Sequence, residues 1–185
     1  RMRRLAAGPD TAVDTIGRCG IATKLLRRTA AGPAVSGVAF DAATPWCPMP
    51  TIEYLVNAPL TPAAIVDIQE RTTHGARRPN DAAAIEAMLA HADLTVSAWD
   101  GDRLVGVART LTDFAFVGYL SELAVDVAYQ RLGIGRALVE RTRAAMGPRS
   151  KLVLLAAPAA EAYYPRIGFR PRSSAWILER RDPLR

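Results

Sequence analysis

The sequence predicts an α/β fold: a mixed sheet in which an antiparallel meander continues through a helix to a parallel strand, with helices on both faces. Three observations carry this. Strand-like and helix-like runs follow one another as β, α, α, β, β, β, α, β, α, β. The tripeptide Asp100-Gly101-Asp102 joins two strand-like runs as a tight turn, which makes those strands antiparallel. After the last long helix, "KLVLLAA" (151–157) is apolar on consecutive positions. That is the pattern of a strand covered on both faces and paired in parallel.

In chain order, residues 1–48 are rich in Ala, Gly and Arg and end in a stretch interrupted by Pro45, Pro48 and Pro50. A boundary is expected there, with an N-terminal appendage over 1–48 and the main domain over 49–185. "TIEYLVN" (51–57) reads as a strand. Thr61 followed by Pro62 starts a capped helix through "AAIVDIQERT". Asn80 or Asp81 caps a second helix, "AAAIEAMLAHA". Residues 94–99 and 103–111 are the two arms of the hairpin, and a longer strand follows over about 116–125. A helix runs from Ile134 to Met146 and stops at Gly147-Pro148. After the apolar strand come a short helix at 158–164 and a last strand, "SAWILER" (174–180).

Composition excludes several classes. The chain has 185 residues, half of them apolar and 23% charged, values ordinary for a globular protein. No apolar run reaches the ~18 residues of a membrane span, and the basic start lacks the apolar core of a signal peptide. The expectation is a cytoplasmic protein that does not engage a membrane. Two cysteines, Cys19 and Cys47, and two histidines, His74 and His91, show no metal-ligand spacing, so no metal is expected. Net charge is +6, with residues 1–48 holding seven Lys/Arg against three Asp (+4) and the rest 17 against 15 (+2). The near balance of the main domain argues against a nucleic-acid surface, while a modest positive bias suits a phosphorylated ligand.

The chemistry concentrates in "QRLGIGR" (130–136), where a strand ends near Asp126 and a helix begins near Ile134. The first-turn amides of a helix have no internal partner and carry the positive end of its dipole. Glycine lets an anion approach the backbone, and Arg131 and Arg136 add charge at the rim. A dinucleotide loop needs G-x-G-x-x-G, but position 138 is Leu, and a mononucleotide P-loop is absent. What stands here is Q-x-x-G-x-G.

With "YLSELAVDVAY" before this loop and "LVLLAAPAAEAYYPRIGF" after it, residues ~51–180 resemble the GNAT superfamily of acyl-CoA-dependent N-acyltransferases. The resemblance implies a GNAT-like sheet and acetyl-CoA as the donor. The family's Q/R-x-x-G-x-G/A loop falls on Gln130, Gly133 and Gly135, with main-chain donors from Arg131, Leu132, Gly133, Ile134, Gly135 and Arg136. Its strand before the loop, which offers backbone groups to the acetyl carbonyl and pantetheine arm, falls on Leu123, Ala124 and Val125. Its [FL]Y-x-x-x-GF motif falls on Tyr163, Tyr164, Gly168 and Phe169. Tyr164 thus resembles the general acid that protonates the departing thiolate. A thiol titrates near ~8.5 and a phenol near ~10, so a hydrogen-bonded phenol stabilises the developing anion. Tyr163 takes an apolar position and reads as packing.

An amine acceptor near neutral pH is mostly protonated, so a base is needed. Glu122 is the one carboxylate inside the strand before the loop and the first candidate, directly or through water. Strict alternation puts Tyr119, Ser121 and Leu123 on one face and Glu122 with Ala124 on the other, unless a bulge re-aims it. In many relatives the base stands one or three positions earlier, where this chain has Ser121 and Tyr119. His74, Arg77 and Arg78, between the first two helices, are candidates for an anionic acceptor or CoA phosphates, and Asp113 for a cationic amine. Trp176 reads as core.

Finally, "RCGIATKLLRRT" (18–29) matches "RLGIGRALVERT" (131–142) at six of twelve positions, and "AVD" precedes both. Residues ~12–44 therefore resemble a truncated second repeat of the same unit, without the tyrosine motif. Docking on the main domain, mediating a homodimer and loose order are the roles open to it. The expected activity is acetyl transfer to a small amine or a protein amine, a protein N-terminus or lysine. The alternative is a non-catalytic acyl-CoA sensor or subunit.

Overall fold

The computed structural model describes residues 50–72 and 81–184. The N-terminal segment with its repeat of the loop sequence, and His74, Arg77 and Arg78, lie outside the described residues. Among those described, five strands form one sheet in the order β1 (Ile52–Val56), β2 (Leu94–Asp100), β3 (Arg103–Thr112), β4 (Val117–Val125) and β5 (Lys151–Val153). The first four pair antiparallel and β4 pairs with β5 in parallel, as the sequence predicts. Gly101 takes the first central position of the β2–β3 turn at φ +56, where this hairpin needs a left-handed residue.

Among the described residues, three α-helices cover the sheet. Thr61 caps α1 (Pro62–Glu70), its hydroxyl accepting from the Ala64 amide at 3.2 Å. Asp81 caps α2 (Ala82–Ala90), accepting from the Ala84 amide at 2.7 Å. These two helices pack Ile65, Ile68 and Ile85 against Leu104, Val107 and Ala124 of the sheet. The third helix, α3 (Ile134–Ala145), lies on the other face, where Ile134, Leu138 and Val139 meet Val96, Ala98, Val105, Ala108 and Leu120. Gly106 permits this approach: a Cβ there would sit 3.0 Å from Ile134 and Leu138. No helix among the described residues is long and apolar enough to cross a membrane.

Three C-terminal expectations are corrected. The strand at 151–157 is only three residues long and is covered on one face. Leu152 and Leu154 pack towards α3, but Val153 and Leu155 are 43% and 48% exposed, because α1 packs over β3 and β4. The short helix is two 3₁₀ turns, Pro158–Ala160 and Tyr164–Ile167. Pro165 has no amide to donate to an α-helical ladder. "SAWILER" forms no strand, and Trp176 is 95% exposed and not part of the core. Strand propensity reflects packing against neighbouring strands, and this run pairs with none among the described residues.

Candidate active site

The Gly133 loop is anchored before it turns. Asp126, buried at the end of β4, accepts from the Ala128 amide at 2.9 Å, from the Arg71 guanidinium at the end of α1, and from Arg103 at 3.0 Å. Burial would raise the Asp126 carboxyl, but the Ala128 amide and the two guanidinium groups outweigh it and hold it below the usual carboxylate range. Tyr129 donates its hydroxyl to Asp100 at 2.6 Å, and Gln130 donates its side-chain amide to the Val125 carbonyl at 3.3 Å. So Gln130 braces the loop from within.

Beyond Gln130 the backbone is unusual. Arg131, not a glycine, is left-handed at φ +66, and Gly133 is left-handed at φ +85. A bulky residue in that region stores strain, and such residues cluster where a ligand is held. Gly133 gives α3 no side-chain cap, and no acidic residue stands in its first turn. The first turn of α3 therefore starts without a side-chain cap beside a cavity of about 490 Å³ lined by Arg131, Gly133, Gly135 and Arg136. Arg136 donates to Glu140 at 2.7 Å on the outer surface, which leaves Arg131 the freer rim charge of the two.

The opposite wall is aromatic. Tyr163, Tyr164 and Arg166 line the same cavity. Tyr164 meets both Tyr163 and Phe169 edge-to-face, each at 5.5 Å between ring centroids. Gly168, at φ +98, turns the chain out of the second 3₁₀ element so that Phe169 can return against the core. Tyr163 does more than the sequence assigns it. Its hydroxyl lies where a Cβ on Gly135 would come within 2.8 Å, and burial, together with the neighbouring Tyr164, pushes its phenol upward.

Between the walls, β4 is open. It pairs with β5 only over Val117–Tyr119, so among the described residues the backbone from Leu120 to Val125 has no strand partner on that side. A second cavity of about 310 Å³ lies along this opening, lined by Ser121, Glu122, Leu123, Ala124 and Gln69. Leu123 and Tyr164, with Thr72 and Ala160, line both cavities and mark their junction.

A bulge sets the side chains here. Arg109 faces Glu122 while Thr110 faces Leu120, so Ser121 is an extra residue on β4. Leu120 and Leu123, three apart, therefore pack in the same cluster against α3. Strict alternation, which would put Tyr119, Ser121 and Leu123 on one face, fails at this point. Glu122 does share the α1 side with Ala124, as predicted. It is buried, with Oε1 accepting from Gln69 Nε2 at 2.9 Å and Oε2 from Arg109 Nε at 3.4 Å.

The structure thus brings Leu123, Val125, Gln130, Arg131, Gly133, Ile134, Gly135, Arg136 and Tyr164 to one cavity. Glu122 and Ala124 belong to the second, and Leu132 is exposed outside both. Thr72, Tyr129, Tyr163 and Arg166 are additions; Tyr129, for one, is held by Asp100 of another strand, a contact that no local motif encodes. Asp113 spends Oδ1 on the amides of Ala115, Phe116 and Val117, so it organises the β3–β4 turn.

The fold has solved counterparts. A probable acetyltransferase from methicillin-resistant Staphylococcus aureus is 22% identical, covers 70% of this chain and 99% of its own, and has a TM-score of 0.59. A GNAT-family acetyltransferase from Streptococcus pneumoniae is 20% identical over 71% of this chain and all of its own, with a TM-score of 0.58. An aminoglycoside N-acetyltransferase in complex with CoA is 15% identical over 71% of this chain and 95% of its own, at 0.52. No curated protein matches significantly. The family model described as an acetyltransferase (GNAT) domain matches residues 66–177, more than half of the chain. With the loop, the open β4 and the tyrosine wall in place, the protein belongs to the GNAT acetyltransferases.

Proposed function

We propose that the chain moves an acetyl group from acetyl-CoA to a primary amine by direct transfer. The observation that carries this reading is the junction: two cavities meet at Leu123 and Tyr164, so a donor in one can face an acceptor in the other. The first cavity suits a pyrophosphate, because uncapped helix amides, a left-handed Arg131 and Gly133 make a concave set of donors. The main chain of Leu123–Val125, which has no strand partner on the β5 side among the described residues, suits the amide-bearing arm and thioester carbonyl.

In the reaction the amine nitrogen attacks the thioester carbonyl carbon. The C–N bond forms, the C–S bond breaks, and the sulfur leaves as thiolate. Backbone N–H groups of the open strand stabilise the oxyanion, and the Tyr164 hydroxyl protonates the sulfur. The amine proton passes to Glu122. That transfer is direct or through water, and the bonds from Gln69 and Arg109 hold the carboxylate in place for it.

Acetyl-CoA is expected to raise the melting temperature, as any ligand of the native state does, and amines to release free thiol from it. Tyr164→Phe is expected to lower kcat by about 10²–10⁴ while leaving acetyl-CoA binding unchanged. Absence of any shift in the parent protein would sink the donor assignment. A shift without turnover on small amines or on peptides with a free N-terminus would favour a non-catalytic acyl-CoA sensor.

A further inference from the structure

The second cavity, on the reading that it receives the acceptor, has a chemistry that selects among amines. At about 310 Å³ it lies near the small end of ligand pockets, which run from ~300 to ~1,000 Å³. Leu120, Leu123, Leu155 and Ile177 supply apolar wall. Leu155 and Ile177 are 48% and 65% exposed, so the rim of the opening is greasy as well.

Its charge is the deciding feature. Glu122 is the one carboxylate among the described lining residues, and it is already neutralised by the buried Arg109 guanidinium, with its other oxygen taken by Gln69. Each ammonium that enters must give up its proton or its solvation with no further carboxylate among the described lining residues to compensate, so a polyamine meets that cost several times and a monoamine on an apolar body only once.

We infer that the acceptor is a small primary monoamine with a compact apolar body, and that the site discriminates against polycationic amines.

The test is steady-state thiol release from acetyl-CoA by the full chain with three probes: phenethylamine, spermidine and kanamycin. Phenethylamine is expected to exceed both others in kcat/KM by about tenfold or more, the scale on which a small apolar pocket discriminates. Leu155→Asp places a carboxylate on the exposed rim, where it does not threaten folding. It is expected to lower kcat/KM for phenethylamine and raise it for spermidine, narrowing the ratio, with the acetyl-CoA melting shift retained as the control for a folded donor site. Faster acetylation of spermidine or kanamycin than of phenethylamine by the parent would overturn the inference and leave acetyl transfer standing. An unchanged ratio in Leu155→Asp would also overturn it. Failure of all three amines while acetyl-CoA still shifts the melting temperature would likewise overturn this inference, and turnover on a peptide with a free N-terminus would then leave acetyl transfer standing.

Discussion

Arg109 and Glu122 stand side by side, both nearly free of solvent. A buried pair is costly to break from one side, because the remaining charge is stranded, yet replacing both partners by apolar groups is often neutral. Glu122→Gln alone is therefore expected to destabilise the fold by about 3–5 kcal/mol, a mixture of structural and catalytic loss. Arg109→Met with Glu122→Met separates the two. The double variant is expected to regain most of the stability in urea melts but not the turnover; full turnover would remove Glu122 from the proton path. Gly135 and Tyr163 form a second pair. Alanine at 135 would press on the Tyr163 hydroxyl, so Gly135→Ala is expected to weaken acetyl-CoA binding and Tyr163→Phe to relieve it. A double-mutant cycle is expected to give a coupling of about 1 kcal/mol in calorimetric binding energies, and strict additivity would refute the contact. Gly135, Gly133 and Tyr164 were legible in the sequence because their spacing is a property of the chain itself. Tyr163 reads as packing in the sequence because its approach to Gly135 crosses from one wall of the cleft to the other.

At the level of elements, the caps and turns are the most faithful to local sequence. Thr61-Pro62, Asp81 and Gly101 act where their own chemistry says they should. The bulge at Ser121 is different, because a register shift depends on what the neighbouring strand offers, here Arg109. The apolar run after α3 misled for a related reason. Consecutive apolar residues imply two covered faces only if something lies over both, and one face of β5 is left exposed. The joint between α3 and the β3–β4 turn can be tested. The Gly147 amide donates to the Phe114 carbonyl at 3.1 Å, and a Cβ at 147 would overlap that same oxygen. Because the obstacle is backbone, Gly147→Ala is expected to cost about 1–3 kcal/mol in urea unfolding. A change within about 0.5 kcal/mol, ordinary for a surface substitution, would show that the joint is slack.

The molecule as a whole is tied together by Asp126. One buried carboxylate joins the end of α1 through Arg71, the start of β3 through Arg103 and the Gly133 loop through the Ala128 amide, so both cavities rest on it. Its pKa is lowered in the fold, burial notwithstanding, by that amide and those guanidinium groups. A lowered folded value means that the carboxylate contributes stability above the ~3.9 of a free Asp, and that this contribution is lost as pH falls through the folded value. Asp126→Asn is expected to cost about 2–3 kcal/mol at pH 7, less than a fully buried pair, because Arg103 is half exposed and Arg71 keeps Asp67 as a partner. Below the free-Asp value the parent loses the same contribution, so the gap between parent and variant in urea midpoints is expected to close as pH is lowered from ~3.9 through the depressed folded value. A gap that stays constant over that range would mean that the charge on Asp126 does not hold the helix, the hairpin and the loop together, and that packing alone aligns the two cavities.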